Sequence, residues 1–470
     1  MKILYYLSLV LVLHCATNYA SIIKDTEKAY YAGNYDAAIP QIRTLATEAD
    51  NKDRLLYLME AGMIFHTKGD YDSSIKAFKE AEQLADNIKV SITRQGLSFL
   101  LSDNESNFTG EDFERVLIKF YIALNYIFLN QYENAKIYFR RLDIELREMK
   151  FVQGKYKQNL CARYLDAILS ESLGRYNDAR VQYKNIQEIS PELVQIKGDR
   201  YVLAVKENDA GDMAKLADGK SYVNAYNPSM SPVPYSQEMG EVIIINQAGK
   251  AATKESRGKI LNDEKFTLAM RGALEGAIRA KGGGLSMGGV VAALSIAENP
   301  IPIYTKRDEE SAKEKPVYLN GKNIGQTSIY NDYSDTAMQN FNENYNTIVT
   351  KNVASIAVKM VAAAVASEAL AQSFERGKNK DNGSAALVGG LVRLGAGALA
   401  GYAASQTIAP DLRSWRLLPS NYQIKRLHLK PGTYKISIPG GKLPDGSEKA
   451  EVIVESGKQI FLNFRTYNRG

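Results

Sequence analysis

The stretch GRYNDARVQYKNIQEISPE, residues 174–192, decides how the first half of this chain is read. Its opening Gly-Arg-Tyr-Asn-Asp-Ala recurs upstream as Gly-Asn-Tyr-Asp-Ala-Ala from Gly33, Gly-Asp-Tyr-Asp-Ser-Ser from Gly69 and Asn-Gln-Tyr-Glu-Asn-Ala from Asn130. The agreement extends past the turn. Two places on stand Tyr35, Tyr71, Tyr132 and Tyr176; five on stand Ala38, Ser74, Ala135 and Ala179; nine on stand Ile42, Phe78, Phe139 and Tyr183. Seven places before the turn stand Thr26, Gly62, Ala123 and Ala167. Small residues at two crossing points let paired helices approach closely, and the tyrosine with the later bulky residue fills the space between one pair and the next.

Four copies agreeing at several offsets resemble the tetratricopeptide repeat, a helix-turn-helix unit of about 34 residues. Pro191 stands where that repeat commonly carries its proline. The first two turns are 36 residues apart, but 61 separate the second from the third, so extra chain lies at about 89–115. Leu97, Phe99, Leu100 and Leu101 of that insertion need burial, and the inner helix of the third repeat (Leu117, Phe120, Leu124, Ile127) is unusually apolar for a wet groove. Part of the insertion or of the later linker is therefore expected to pack along the concave face. Inner-face candidates for partner binding, chosen by repeat position, are Met63, His66, Tyr164 and Glu171.

Within the insertion, Asp103, Glu105, Asn107, Glu111 and Glu114 fall at positions one, three, five, nine and twelve of a twelve-residue window, the ligand spacing of a calcium loop. The sixth position needs glycine and holds Phe108, so a polar loop capping the helix that begins near Glu111 is the better reading, and no metal is expected.

Composition narrows the chemistry. The 470 residues carry 59 Lys+Arg against 53 Asp+Glu, a net charge of +6 without a block of like charge, so no nucleic-acid-binding arm is expected. Three histidines, His14, His66 and His428, leave little for base or metal chemistry. The N-terminus, MKILYYLSLVLVLHCATNYAS, has one lysine, a short apolar run and then small or polar residues, which reads as a secretory signal over residues 1–21. Cys15 sits where the run stops, as in a lipobox, with His14 in place of the usual small residue; a cut after Ala20 is the rival. Acylating or removing Cys15 leaves Cys161 alone, so no internal disulfide is expected and Cys161 reads as a small buried hydrophobe.

Residues 22–200 are thus expected to form the helical solenoid, 201–240 a linker rich in Asn, Asp, Ser, Gly and Pro, and 241–470 an α+β domain. Gly219-Lys220-Ser221 lacks the earlier glycine and preceding strand of a phosphate loop. EVIIIN (241–246) reads as a buried strand followed by a loop, and Asn320-Gly321 between alternating apolar residues as a hairpin. Residues 266–280 read as a helix, as do the Ala/Gly-rich stretches 346–375 and 384–407, and the period-two run from Tyr422 onward reads as a small antiparallel sheet. Gly284-Leu285-Ser286-Met287-Gly288 matches G-x-S-x-G, but helical periodicity precedes it where a nucleophile elbow needs a strand, so Ser286 reads as part of a glycine-rich connection rather than a hydrolase serine. Lys359, Glu368 and Arg393 interrupt the Ala/Gly-rich helices, each costing about 2.5–3.5 kcal/mol near a bilayer centre. Tightly packed core helices are the better reading, with a membrane-associating or oligomer-forming role as the alternative.

The stretches GEDFERVLIKFYIALNYIFLNQYENAKIYFRRLD, GEVIIINQAGKAATKE and APDLRSWRLLPSNYQIKRLHLKPGTYKI resemble a family of bacterial envelope lipoproteins with tetratricopeptide repeats, Asp411-Leu412-Arg413-Ser414-Trp415 being the most specific short piece. That resemblance implies no reaction and no catalytic residues. Some members are encoded beside lipoprotein activators of peptidoglycan synthases, which associates the family with envelope assembly. The expectation is an α-rich, non-catalytic, cofactor-free protein: a solenoid of tetratricopeptide repeats followed by an α+β domain with a small antiparallel sheet. It would be anchored through Cys15 on the periplasmic side of the envelope and bind protein partners there. Arg413 and Trp415 are read as structural.

Overall fold

A computed structural model describes residues 19–48, 52–95, 107–148, 159–280, 297–376 and 408–468. After a single turn, α1 (Tyr19–Ile22), the chain lays down antiparallel helix pairs: α2 (Lys24–Tyr31) with α3 (Tyr35–Glu48), α4 (Arg54–Lys68) with α5 (Tyr71–Gln95), α6 (Asp112–Phe128) with α7 (Tyr132–Glu148), and α8 (Leu160–Ser172) with α9 (Tyr176–Ile189). Helices α10 (Gln195–Lys206) and α11 (Ala210–Lys215) end the stack, so α10 runs through the expected solenoid boundary at residue 200.

The turns explain the recurring signature. Gly33, Gly69, Asn130 and Gly174 all have positive φ, from 57° to 88°, the left-handed conformation that ends a helix and that glycine and asparagine adopt most readily. Ala38, Ser74, Ala135 and Ala179 are fully buried where the second helix of each pair crosses the first. The smallness seven places before the turn is a contact as well: a Cβ on Gly62 would lie 2.5 Å from the Phe78 ring. Gly62→Val is therefore expected to overpack the second repeat and cost about 1–3 kcal/mol, read as a lower denaturant midpoint at unchanged slope.

The rest of the chain packs two sheets onto this array. A six-stranded sheet runs β1 (Ala225–Tyr226), β8 (Asn421–Leu429), β2 (Gly240–Ala248), β12 (Gln459–Thr466), β10 (Gly441–Lys442), with β7 (Ser328–Asp332) also on β8. It is mixed: β2 pairs antiparallel with β8 but parallel with β12. A four-stranded antiparallel sheet runs β11 (Lys449–Val454), β9 (Gly432–Ser437), β5 (Pro316–Leu319), β6 (Lys322–Gln326). The period-two C-terminal run is thus shared between two sheets. Asn320 and Gly321, joining β5 to β6, both have positive φ, as a tight hairpin turn demands. Beyond β2, the expected loop is a strand: Gly249 turns the chain at φ 69° into β3 (Lys250–Glu255), which pairs with β4 (Ile303–Arg307).

The layering is array, six-stranded sheet, four-stranded sheet. On β2, Ile243 and Ile245 enter the apolar cluster shared with the helices, whereas Val242 and Ile244 enter the cluster shared with Tyr434, Ile436 and Val452 of the small sheet. On β8, Tyr422 and Ile424 face the helices while Leu427 and Leu429 face the small sheet. Every residue of both strands is buried, which is why EVIIIN is apolar without alternation. A third cluster joins α12 (Glu264–Ala280) to the 44-residue α14 (Tyr333–Arg376) through Phe266, Met270, Leu274, Val353, Ile356 and Met360. The short helix α13 (Glu309–Ala312) lies between β4 and β5. The fold is the expected one, α-rich tetratricopeptide repeats followed by an α+β region.

Candidate functional site

The face built by the first helix of each pair, α2, α4, α6, α8 and α10, is where a repeat array of this kind offers a binding groove. Here the chain's own six-stranded sheet lies along it. Of the four residues proposed from repeat position, Met63, His66 and Tyr164 have no exposed surface and Glu171 is 4 % exposed. Part of the insertion or of the later linker is the cover expected from the sequence. Residues 96–106 of the insertion, with Leu97, Phe99, Leu100 and Leu101, fall outside the described residues; among the described residues the covering groups come from β2, β7, β8, β12 and residues 411–418.

His66 is the centre of the middle stretch. Its Nδ1 donates to Asn125 Oδ1 at 2.6 Å, and Asn125 Nδ2 donates to Ser74 Oγ, which donates to the Gly62 carbonyl. On the sheet side Gln247 Nε2 donates to His66 Nε2 at 2.6 Å and to Asn463 Oδ1 at 2.7 Å, while Tyr121 Oη donates to Gln247 Oε1. This polar chain joins two repeats to β2 and β12. Burial pushes His66 down to about 4, so the ring is neutral and its proton sits on Nδ1, where Asn125 accepts it.

Residues 411–418, the DLRSWRLL string, cross the array without regular structure, five of the eight buried and Asp411, Leu412 and Arg416 half-buried. A buried loop must find partners for its amides, and carboxyl groups of the inner helices supply them. Glu114 Oε1 accepts from Trp415 N at 2.8 Å, Glu60 Oε1 from Arg416 N at 2.7 Å and Glu60 Oε2 from Leu417 N at 3.1 Å. Arg413 spans Asp411 and Asp53, each at 2.8 Å, and Arg416 Nε reaches Glu27 at 2.7 Å. Trp415 packs against Phe78 and Tyr121, each with ring centroids 5.7 Å away. Arg413 and Trp415 thus hold the sheet region to the repeats. Glu114 also accepts from the Glu111 amide at 2.9 Å, so Glu111 and Glu114 of the calcium-spaced window serve the start of α6; Asp103 and Glu105 lie outside the described residues. Among the described residues no group of His, Cys, Asp or Glu could hold a metal ion.

The third contact is a buried charge cluster around Arg426 of β8, which has no exposed surface. Its guanidinium meets Glu171 through two parallel bonds of 2.9 Å, Glu241 at 2.6 Å and Asp199 at 3.3 Å. Lys206 Nζ lies 2.6 Å from both Glu171 and Glu241. Tyr183 Oη donates to Glu171, and Tyr164 Oη donates to Asp199 Oδ2 at 2.8 Å. Burial pushes Glu171 and Glu241 upward, but Arg426 and Lys206 outweigh it and hold both carboxyls below the usual range. His428, on the same face of β8, is driven down to about 3 by burial and then by the charges of Arg426 and Lys206, against the pull of Glu241. Arg426, Glu241 and Gln247 carry no repeat signature. The signal available was parity, since Glu241 and Gln247 share the face of β2 that carries Ile243 and Ile245.

These groups give the interface a pH dependence of definite sign. Burial raises Glu60 to about 8 and Glu114 and Asp199 to about 7. Carboxyls raised in the folded state contribute stability that is full below their unfolded values near 4 and lost as pH rises through 7 to 8. His66 and His428 act oppositely, their contribution full above about 6.5 and lost toward pH 3–4. Between pH 6.5 and 8 the carboxyls alone among these five are still changing the balance, so the thermal midpoint is expected to fall over that interval. Glu60→Gln should flatten the part of the slope nearest pH 8.

Cys15 and Ser286 lie outside the described residues. Among the described residues no helix is long and apolar enough to cross a membrane.

Residues 56–88 and 120–143 match the family model of the tetratricopeptide repeat. No curated protein matches the chain. Among solved structures, one of the "MamA RS-1 ArsTM double mutant" aligns at 12 % sequence identity over 43 % of this chain and 93 % of that one, with a TM-score of 0.30. The chain contains tetratricopeptide repeats, and these point to protein partners and a non-enzymatic interaction role.

Proposed function

We propose that this protein is an exported, lipid-anchored scaffold that binds other proteins on the periplasmic side of the bacterial envelope, in envelope or peptidoglycan assembly, and that it catalyses no reaction. The observation that carries the reading is the stacked repeat array, an architecture that works through surface shape. Export and acylation rest on the N-terminal run ending at Cys15, and the assembly role on the family resemblance. His66 and His428, held neutral inside the interface, also fit a protein that does not use them for proton transfer.

Because the inner face is filled from within, a partner meeting the molecule in this state contacts its outer helices. There Ile137 and Ile144, one heptad apart on α7, and Val181 on α9 are each more than half exposed. A photo-crosslinking side chain placed at Ile144 or Val181 in cells is expected to capture one recurring envelope protein, and the same side chain at Met63 to react within the chain. Capture of a partner from Met63 and none from the outer helices would overturn this reading. The anchor is tested by fatty-acid labelling, expected to vanish in Cys15→Ser.

The oligomer alternative keeps one observation in its favour: Val358 and Val365, also one heptad apart, are 50 % and 38 % exposed on α14. Sedimentation of the mature chain separates the two readings, a monomer favouring the first.

A further inference from the structure

The charge cluster at Arg426 has an uneven count. Two cations, Arg426 and Lys206, face three carboxyls, Glu171, Asp199 and Glu241. Both glutamates touch both cations at 2.6–2.9 Å. Asp199 reaches only Arg426, at 3.3 Å, and otherwise rests on the Tyr164 hydroxyl at 2.8 Å. An excess charge on a carboxyl this deeply buried is expelled by taking up a proton, and the worst-compensated carboxyl, Asp199 at 2 % exposed, takes it.

The remaining neighbours do not compete for that role. His428 Nδ1 lies 3.8 Å from Glu241, but the ring shares its pocket with two fixed cations and is fully buried, so it stays neutral. From α8 the facing groups are Glu171 and Tyr164, from α9 Tyr183, from α10 Lys206 beside Asp199 itself. From the sheet they are Glu241 of β2, Tyr330 of β7 stacked on Tyr164, and Arg426 with His428 of β8; Tyr235, from the chain before β2, packs on the His428 ring. Gln459 of β12 donates to Glu241 at 3.0 Å. The phenols of Tyr164, Tyr183, Tyr235 and Tyr330 are all pushed upward by burial and remain neutral.

We propose that the contact between the last repeats and the six-stranded sheet is a proton-dependent clamp: Asp199 carries the proton that balances the Arg426 cluster, and its loss leaves a net negative charge that loosens α8 and α10 from β2 and β8. The bonds from Arg426 to Glu171 and Asp199 cross from sheet to array, so a change of charge on Asp199 acts directly on docking. Burial raises Asp199 to about 7, which places the transition near neutrality. The inference concerns regulation of the fold and stands whether or not the scaffold reading holds.

The test uses the mature chain with 13C-labelled aspartate carboxyls, which separates Asp199 from Glu60 and Glu114. Infrared spectra between pH 5 and 9 are expected to show one protonated aspartate carbonyl band that disappears near pH 7 and is absent from Asp199→Asn. In parallel, hydrogen exchange of α10 and β8 amides, corrected for the intrinsic effect of pH, should quicken about tenfold across the transition in the unsubstituted chain and stay level in Asp199→Asn. Absence of the band, or the same exchange profile in both chains, overturns the proposal. The band in the unsubstituted chain decides the protonation state even if the variant fails to fold.

Discussion

Arg426→Ala is expected to lower the stability of the folded chain by about 3–5 kcal/mol, the range for removing one partner of a buried, hydrogen-bonded ion pair. The reason is what it leaves behind. Glu171 and Glu241 would keep Lys206 but lose the guanidinium fork that occupies the other side of both carboxyls, and Tyr183 would lose a donor at 2.9 Å. Arg426→Lys keeps the charge and loses the planar fork, so it should cost less, on the order of half. The pair is measured by urea denaturation. A loss below about 1 kcal/mol for Arg426→Ala would show that the cluster is not buried between array and sheet, since surface pairs are worth no more than that.

Trp415→Ala carries an effect of similar size by a different route. The side chain is 1 % exposed and packs against Phe78 of α5 and Tyr121 of α6. Truncating a buried aromatic costs about 3–5 kcal/mol through lost transfer energy and the cavity left behind. Its indole N–H has no hydrogen-bond partner among the described residues, so Trp415→Phe forfeits volume and no bond and should cost less than about 1.5 kcal/mol. A tryptophan held by its N–H would give the opposite order, with phenylalanine nearly as damaging as alanine. Thermal unfolding of both variants distinguishes the cases.

The repeat array was legible because its signature is local. A left-handed turn at Gly33, Gly69, Asn130 or Gly174, and small residues on either side where helices cross, are dictated within about twenty residues of chain. What fills the inner face is dictated by pairs far apart: Glu60 with Leu417, His66 with Gln247, Glu171 with Arg426. No spacing in the sequence announces such pairs. The available hints were physical. Inner helices α4 and α6 are apolar nearly all round, which is the pattern of a helix buried on every side. DLRSWRLL is a polar and aromatic string without period, which a buried loop needs if carboxyl groups are to cap its amides. Repeat position singles out His66, Tyr164 and Glu171, and their neighbours on the inner face belong to the same chain.

The mixed pairing of β2 shows the same limit. EVIIIN shows a strand buried on both faces, but whether β12 lies parallel or antiparallel to it depends on the path of everything between residues 249 and 458. Residue parity along β2 and β8 then decides which side chains meet the helices and which meet the second sheet.

The chain's own C-terminal region occupies the inner face of its repeats, and the sole tryptophan sits at that junction. Acrylamide quenching of Trp415 fluorescence in the native mature protein tests this directly. Blue-shifted emission is expected, with quenching many times weaker than in the urea-unfolded chain. Emission and quenching equal to those of the unfolded chain, with the helical signal intact, would contradict it.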